Sequence, residues 1–369
     1  MTEEQRALAE ALRTALIGAN ERLQGLDAET MRQLAALFDD AAADLVQAIR
    51  GRAQRDGVIP ASELSSLLAE VGLLLGQLAG DQEQLLREAI DQSAQSGGRV
   101  ADDLRSTADR VESLKEYLGA VPDAPAAAAE AVNTVWYTQM ADGLVLSDRL
   151  WANYQGVRQA IEPVLTRSIL EGETARLSAR QAIAQGLQVD QNTLNRIELA
   201  RAGALGEQTR SVLASDARKA YSAAERVFRT EIDRANIEAS RATIYNVRGV
   251  VGTRVKLSPR HPRFDICDLH ARANLYELGP GVYPPGRSPI PAHPNTLTRE
   301  EAVFEWEITE ADRQNPVTVF ELLERQDESR QYDVLQSEDK VRELRAGRLK
   351  AEHILRPWRD IEDEYPDAA

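Results

Sequence analysis

The stretch from His261 to Thr298 constrains the fold of this chain more than any other part of the sequence. It contains seven of the 15 prolines, three of the four histidines and the single cysteine. Proline and glycine at this density exclude a long helix and require a compact, irregular loop. A loop of this length inside an ordered domain is unusual unless something fixes it or uses it. The polar side chains that could do so are those of Asp265, Cys267, Asp268, His270 and His293.

The composition outside this loop favours packed helices. The chain has 369 residues, of which 43% are hydrophobic but only 5% aromatic, and alanine and leucine dominate. No apolar run is long enough for a bilayer, and the N-terminus lacks a signal-peptide pattern, so we expect a protein made and used in the cytosol, or in an assembly formed there, with no membrane partner. The net charge of −15 argues against indiscriminate wrapping around nucleic acid.

The sequence predicts a predominantly α fold with a small C-terminal α+β module. The four consecutive segments are an N-terminal helical region (1–122), a helical middle domain (126–248), the α+β module (249–308) and an acidic, partly helical tail (309–369). In the first segment, Thr2 and Gln5 fit a capping box, and the Ser-Gly-Gly sequence at 96–98 predicts a turn. Residues 299–369 contain 20 acidic and 11 basic residues, so we expect this end to be a solvated or docking surface.

A change of period predicts the α+β module. After Gly249, apolar residues alternate with polar ones or glycine up to Leu257, as in a half-buried strand. A second alternating run covers Phe304 to Ile308 and includes Glu305 and Glu307. The simplest arrangement pairs these two short strands, which bracket the proline-rich loop.

The helix expected from Asp216 to about Arg248 has two stripes. The apolar stripe consists of Phe228, Ile232, Ala235, Ala239 and Ala242, and we expect it to pack against the small sheet. The charged stripe consists of Glu231, Arg234, Glu238, Arg241 and Arg248, at spacings that suit ion pairs. We expect most of these charges to lie on the surface of the helix. Alternatively, Arg229 and Glu231 of the Arg229-Thr230-Glu231 motif could reach the loop.

The loop contains a candidate metal site. Cys267 and His270 have the Cys-x2-His spacing that lets two ligands on one turn reach a single ion. His293 could bind from the other side of the loop, with Asp265 or His261 as a fourth ligand. Zinc accepts such mixed ligand sets and would explain how the loop stays ordered. In the alternative interpretation, Cys267 is a small buried hydrophobe and the histidines hydrogen-bond loop carbonyls.

A catalytic interpretation can also be built from these residues. Histidines and aspartates in a loop could serve as the general base and metal ligands of a nuclease. The Glu305-Trp306-Glu307 sequence, on an expected strand, resembles the paired glutamates of ADP-ribosyltransferases. However, any strand with one solvated face offers such a pair, and no glycine-rich phosphate loop or Ser/His/Asp set accompanies it.

Several motifs in order resemble the minor head (head morphogenesis) proteins of tailed phages, the phage Mu F-like group. The motifs are the helix FRTEIDRANIEASRATIYN, a short strand, then HPRFDICDLHARANLYELGPGVYP and PAHPNT. That family typically has an R-T-E helix, an aspartate shortly before C-x2-C, and then H-P-N-C-R-C. Together with ILEGETARLSARQAIAQGL upstream, the resemblance covers roughly Ser168 to Ile308.

By position, the resemblance matches Cys267 and His270 to the first two family cysteines, and His293 to the family histidine. Thr296 and Thr298 stand where two further cysteines would be. The implied metal ligands are therefore Cys267, His270, His293 and a carboxylate such as Asp265. The remaining motif residues receive structural roles: Arg229, Thr230, Glu231, Arg234, His261, Asp268 and Asn295.

The resemblance implies a structural virion protein that is not an enzyme. Such a protein is made in the host cytoplasm and resides in the phage head interior or neck, near the portal. Its expected partners are the portal protein, the major capsid protein or both, with packaged DNA as a further expected contact. We expect the N-terminal helices and the acidic tail to dock on those partners.

Overall fold

A computed structural model describes residues 1–139, 143–217, 219–258, 261, 263–293 and 298–365. These residues group into two compact units, each built from discontinuous stretches of the chain. Unit 1 consists of Met1–Leu23, Ala94–Ala131 and Asp233–Ala369, and unit 2 of Gln24–Ser93 and Val132–Ile232. The division into four consecutive segments that was made above from the sequence remains a prediction.

Helices dominate the first two thirds of the chain. They are α1 (Glu3–Gly51), α2 (Leu64–Ala108), α3 (Ala124–Tyr137), α4 (Leu146–Ala184), α5 (Gln191–Leu199), α6 (Ala202–Leu213) and α7 (Ala220–Ile244). The capping box predicted for α1 is confirmed, since Thr2 and Gln5 each bond the backbone N–H of the other at 2.8 and 3.2 Å. A predominantly α fold with a small α+β module is also confirmed.

The small sheet differs from the prediction in one strand. Within the described residues, β1 (Val250–Lys256) pairs antiparallel with β2 (Val282–Tyr283) on one side and with β3 (Arg299–Phe304) on the other. The predicted pairing of two strands around the loop is therefore present, and β2 comes from inside the loop. The predicted strand at 304–308 is wrong, because β3 ends at Phe304 and residues 305–307 form a 3-10 turn. The side chain of Glu307 stabilises this turn by accepting from the Phe304 N–H at 3.1 Å.

The turn predicted at 96–98 is also wrong, since α2 continues through both glycines to Ala108. Gly97 and Gly98 serve close packing within unit 1. A Cβ atom at Gly97 would collide with the carbonyl of Asn236 and approach Ala239 on α7, and one at Gly98 would collide with the carbonyl of Ala124. Without side chains at these positions, neighbouring helix backbones can approach each other closely.

Helix α7 is rotated from the orientation that its stripes predicted. Ala239, a member of the apolar stripe, lies against Gly97 of α2. The side that faces the sheet carries Ile237, which packs with Val255 and Tyr283, and Ile244, which packs in a cluster with β3 residues. The charged stripe is not a solvated surface either, because Glu231 and Arg234 are almost fully buried.

Arg241 also departs from a solvated stripe, through its contacts. Its guanidinium holds both carboxylate oxygens of Glu300 on β3, at 2.9 and 2.8 Å. It also donates to Glu238 at 2.7 Å and to the carbonyl of Ile290 in the proline-rich loop at 2.8 Å. Burial alone would lower the pKa of Arg241, but the two carboxylates raise it above its ordinary value. One arginine thus joins the helix, the sheet and the loop.

Both ends of the chain contribute to hydrophobic clusters of unit 1, so the tail is not merely a solvated surface, and the docking of both ends on partners remains a prediction. Leu8 and Leu12 of α1 pack in one cluster with Ala302 and Phe304 of β3. After β3, the tail forms α9 (Glu310–Gln314), α10 (Val319–Glu324), α11 (Glu328–Leu335) and α12 (Glu338–Arg345). Leu323, Leu335 and Leu344 of these helices pack in a second cluster with Cys267 and Leu269 of the loop. The acidic residues of the tail therefore surround an apolar interior.

No helix among the described residues is both long and apolar enough to cross a membrane.

Replacing Arg241 with alanine should destabilise the protein by about 3–5 kcal/mol, because Glu300 would remain buried without its cation. The measurement is urea unfolding followed by circular dichroism. Arg248→Ala, at an exposed position just beyond the same helix, should change stability by no more than about 0.5 kcal/mol. Equal effects of the two substitutions would show that the Arg241 contacts contribute little.

Gly97→Ala should destabilise the protein by about 1–3 kcal/mol, because the new methyl group would force α2 and α7 apart. Gly72→Ala is the matched control in the same helix, since a Cβ there meets no atom within 4 Å. That control should gain about 0.5–1 kcal/mol from helix propensity. Thermal melting of the two variants measures the difference, and a gain in both would contradict the close packing.

Candidate functional site

A short helix, α8 (Ile266–His270), positions most of the candidate ligands. Asp265 is its N-cap and accepts a hydrogen bond from the Cys267 N–H at 2.7 Å. Asp268 bonds back to the N–H of Asp265 at 3.0 Å, which completes a capping box. The Asp-x-x-Asp spacing thus explains locally why a helix of one turn forms among so many prolines and glycines.

Three of the predicted ligands come together at the start of α8. The Cys267 Sγ lies 3.2 Å from Nε2 of His293, and that same nitrogen lies 3.1 Å from Oδ2 of Asp265. One ligand atom from each of the three residues lies within 4.8 Å of the others. The loop therefore brings together a sulfur, a nitrogen and an oxygen donor, a set that could hold a metal ion. We call Asp265, Cys267 and His293 the ligand cluster.

A second group shares Asp265 with the ligand cluster. Nε2 of His261 lies 2.9 Å from Asp268 and 3.6 Å from Asp265. These three residues also bring one ligand atom each within 4.8 Å. Asp265 thus lies between two histidines, one on each side of the loop, and Asp268 orients one of them. Carboxylates that orient ligand groups in this way are common around metal sites.

The electrostatics of Asp265 favour its charged form. Burial raises the pKa of this carboxyl. A larger opposite effect comes from the hydrogen bonds of His293 and the Cys267 N–H and from the nearby charges of His293 and His261, all of which lower the pKa. The net result is a pKa below the usual value. The carboxylate is therefore ionised near neutral pH, as a metal ligand must be.

His270 takes a different place from the one that its spacing predicted. It does not belong to either group of neighbouring ligand atoms found among the described residues. Its Nδ1 lies 3.1 Å from the hydroxyl of Tyr283 on β2, and that hydroxyl also bonds the His270 carbonyl at 3.1 Å. Burial, together with the smaller effect of the His293 charge, lowers the pKa of His270 to about 4, although the Asp265 charge raises it. His270 is thus a neutral side chain that fastens α8 to the sheet.

The tail encloses the thiol side of the ligand cluster. Cys267 is fully buried and shares a hydrophobic cluster with residues of α10, α11 and α12. The Asp265 and His293 side chains remain 20% and 31% exposed, so a metal ion could enter from their side. Sequence analysis missed this contribution of the tail, as well as Tyr283. The apolar periodicity of α10–α12 could have predicted this packing. The acidic composition of the tail instead led to the prediction of a solvated surface.

The remaining motif residues lie elsewhere. Arg229 pairs with Asp27 at 3.4 Å and Glu231 with Arg149 at 2.6 Å, both within unit 2. The Thr230 hydroxyl donates to the carbonyl of Arg226, one turn earlier in the helix. Arg234 is buried in α7. Asn295, together with Thr296, lies outside the described residues.

His270 should make stability depend on pH between about 4 and 6.5. Its pKa is about 4 when folded and near 6.5 when unfolded, so the unfolded chain binds more protons in this window. Above pH 6.5 this histidine costs the folded state nothing. As the pH falls from 6.5 to 4, the free energy of unfolding decreases by up to about 3 kcal/mol. Unfolding in EDTA at several pH values should show a steeper loss for the natural chain than for His270→Gln. If the free energy of unfolding changed with pH equally in both proteins, His270 would not be a buried neutral histidine.

Comparisons of this chain with family models, with curated proteins and with solved structures gave no match. The geometry by itself therefore establishes a group of residues that could hold a metal ion, on a short helix enclosed by the C-terminal tail.

Proposed function

We propose that this chain is a structural minor head protein of a tailed phage. In this proposal it acts in head morphogenesis near the portal, without catalysis. The portal protein, the major capsid protein or both are its partners, and it contacts packaged DNA. It is made in the host cytoplasm and ends in the virion, in the head interior or the neck. The motif resemblance described above is the origin of this proposal.

The observation that carries the proposal is the way three of the resembling segments pack in unit 1, namely the end of α7, the sheet and the proline-rich loop. The end of α7, the sheet and the loop meet at Arg241, through its contacts with Glu300 and Ile290. The polar groups of the loop then bond mainly to one another, as in the contacts of His293 with Asp265 and of His261 with Asp268. Groups that satisfy each other in this way support a structural role better than a catalytic one, which requires groups directed at a substrate.

We further propose that the metal is zinc and that it stabilises the loop. Zinc binds sulfur and nitrogen donors together, and structural zinc sites contribute directly to folding. The chain offers Cys267, His293 and Asp265 for this purpose. His270 is not needed as a ligand in this proposal, since it bonds Tyr283.

Purified protein should contain up to one zinc ion per chain, measured by elemental analysis. Cys267→Ser combined with His293→Ala should remove the metal and lower the melting temperature, because the loop loses its cross-link. His270→Gln is the control and should retain the metal. Cobalt substitution offers an independent measurement, since a thiolate ligand gives an absorption band that Cys267→Ser should abolish.

Freshly purified protein without metal would overturn the zinc proposal. The loop would then be ordered by proline rigidity, hydrogen bonds and the packing of the tail alone.

The head-protein proposal is tested by co-expression with the portal protein of the same phage. We expect the two proteins to co-elute in size-exclusion chromatography, and we expect the chain in purified virions by mass spectrometry. Because both chain ends belong to the core, the test should use the full chain and surface substitutions rather than truncations.

A nuclease or toxin-like enzyme in the α+β module is the outcome that would replace this proposal. Incubation of the chain with DNA and a divalent metal ion measures the first of these activities. Cleavage that His293→Ala abolishes, together with absence from virions, would assign the cluster to catalysis. We expect no cleavage.

A further inference from the structure

Unit 2 contains a cavity that lies apart from the ligand cluster. Its volume is about 370 Å³, within the range typical of small-molecule sites. Residues of α1, α2, α4 and α7 line it, and its wall is mostly apolar. We call it the helix cavity.

Small residues on two helices create the space. On α2 these are Gly76, Ala79 and Gly80, and on α7 they are Ala220 and Ala224. A Cβ atom at Gly76 or Gly80 would meet no other atom within 4 Å, so the glycines are not required for close helix contact. The cavity therefore differs from the helix contact at Gly97, where the backbone of a neighbouring helix fills the space that a side chain would occupy.

An aromatic pair lines the cavity on α4. Trp151 and Tyr154 have ring centroids 5.3 Å apart, with the planes tilted by 35°. Trp151 is 61% exposed, an unusual position for the largest apolar side chain unless it contacts something else. An exposed tryptophan and a half-buried tyrosine beside an apolar hollow offer flat surfaces on which a planar molecule can stack.

One polar group specifies the chemistry further. Asn153, also a lining residue, has its Nδ2 atom shielded from solvent and without a hydrogen-bond acceptor among the described residues. An amide N–H in this state costs free energy unless an acceptor meets it. A ligand that supplies a carbonyl oxygen would satisfy it.

We propose that the helix cavity binds a small, planar, largely apolar molecule that carries a hydrogen-bond acceptor. The molecule stacks on Trp151 and Tyr154, inserts towards Ala79 and Ala224, and accepts a hydrogen bond from Asn153. This site is independent of the ligand cluster and of the head-protein proposal.

The test uses two fluorescent probes of similar shape. Nile red is planar, neutral and has a carbonyl acceptor, whereas pyrene is a planar hydrocarbon without one. We expect both to bind the full chain saturably, with one probe per chain. Asn153→Leu should weaken Nile red binding about fivefold but leave pyrene binding unchanged or tighter, because only Nile red loses a hydrogen bond.

Two further variants examine the cavity itself. Ala224→Leu should fill the hollow and abolish binding of both probes, and Trp151→Ala should weaken both about fivefold through lost stacking. Leu73→Ala is the control, since Leu73 is 71% exposed on α2 and does not line the cavity. Its affinities should equal those of the natural chain.

Binding that is not saturable, or that Ala224→Leu leaves intact, would overturn the proposal and indicate adsorption to the surface. Equal effects of Asn153→Leu on the two probes would overturn the assigned hydrogen bond. If Ala224→Leu does not fold, Trp151→Ala decides in its place, because an exposed side chain can be truncated without loss of the core. Unchanged binding of both probes to that variant then overturns the site.

Discussion

The largely buried ion pair between Arg241 and Glu300 is the interaction on which the packing of unit 1 depends. Taking an arginine and a carboxylate out of water is costly, and the cost is offset only when nearly every donor and acceptor finds a partner. Here the guanidinium donates to two carboxylates and a carbonyl, and Glu300 also accepts from Ser288. The pair therefore requires helix α7, strand β3 and the proline-rich loop to take one mutual arrangement. Apolar contacts alone would allow these elements to slide.

The position of the ligand cluster depends on this arrangement and on the packing of the tail. Asp265 and Asp268 form a capping box, which builds a one-turn helix and places Cys267 at its first turn. The tail then covers the thiol with leucines, while the carboxylate and imidazole remain within reach of solvent. The closed apolar side suits an ion that stabilises the fold, and the partly open polar side leaves a path by which the ion could enter. This geometry is why a structural role for the metal is the proposal that we favour.

The two units differ in how they use small residues. In unit 1, Gly97 and Gly98 allow backbones to approach, so the space is filled by the protein itself. In unit 2, Gly76, Ala79 and Gly80 leave a hollow beside Trp151. The same residue types therefore produce a tight helix crossing in one place and a candidate binding site in another. Only the position of the neighbouring helix distinguishes the two outcomes.

The sequence by itself determined the features that depend on neighbours along the chain. These include the helical class, the capping box of Thr2 and Gln5, strand β1 and the choice of Cys267 and His293 as candidate metal ligands. Tertiary structure alone decided that Arg241 pairs with the buried Glu300, that His270 bonds Tyr283 and that the acidic tail encloses Cys267. It also decided that Gly97 continues a helix and that Glu305 to Glu307 form a turn. The physical reason is that periodicity and capping act over three or four residues, whereas burial and the choice of partner depend on groups that lie far apart in the chain.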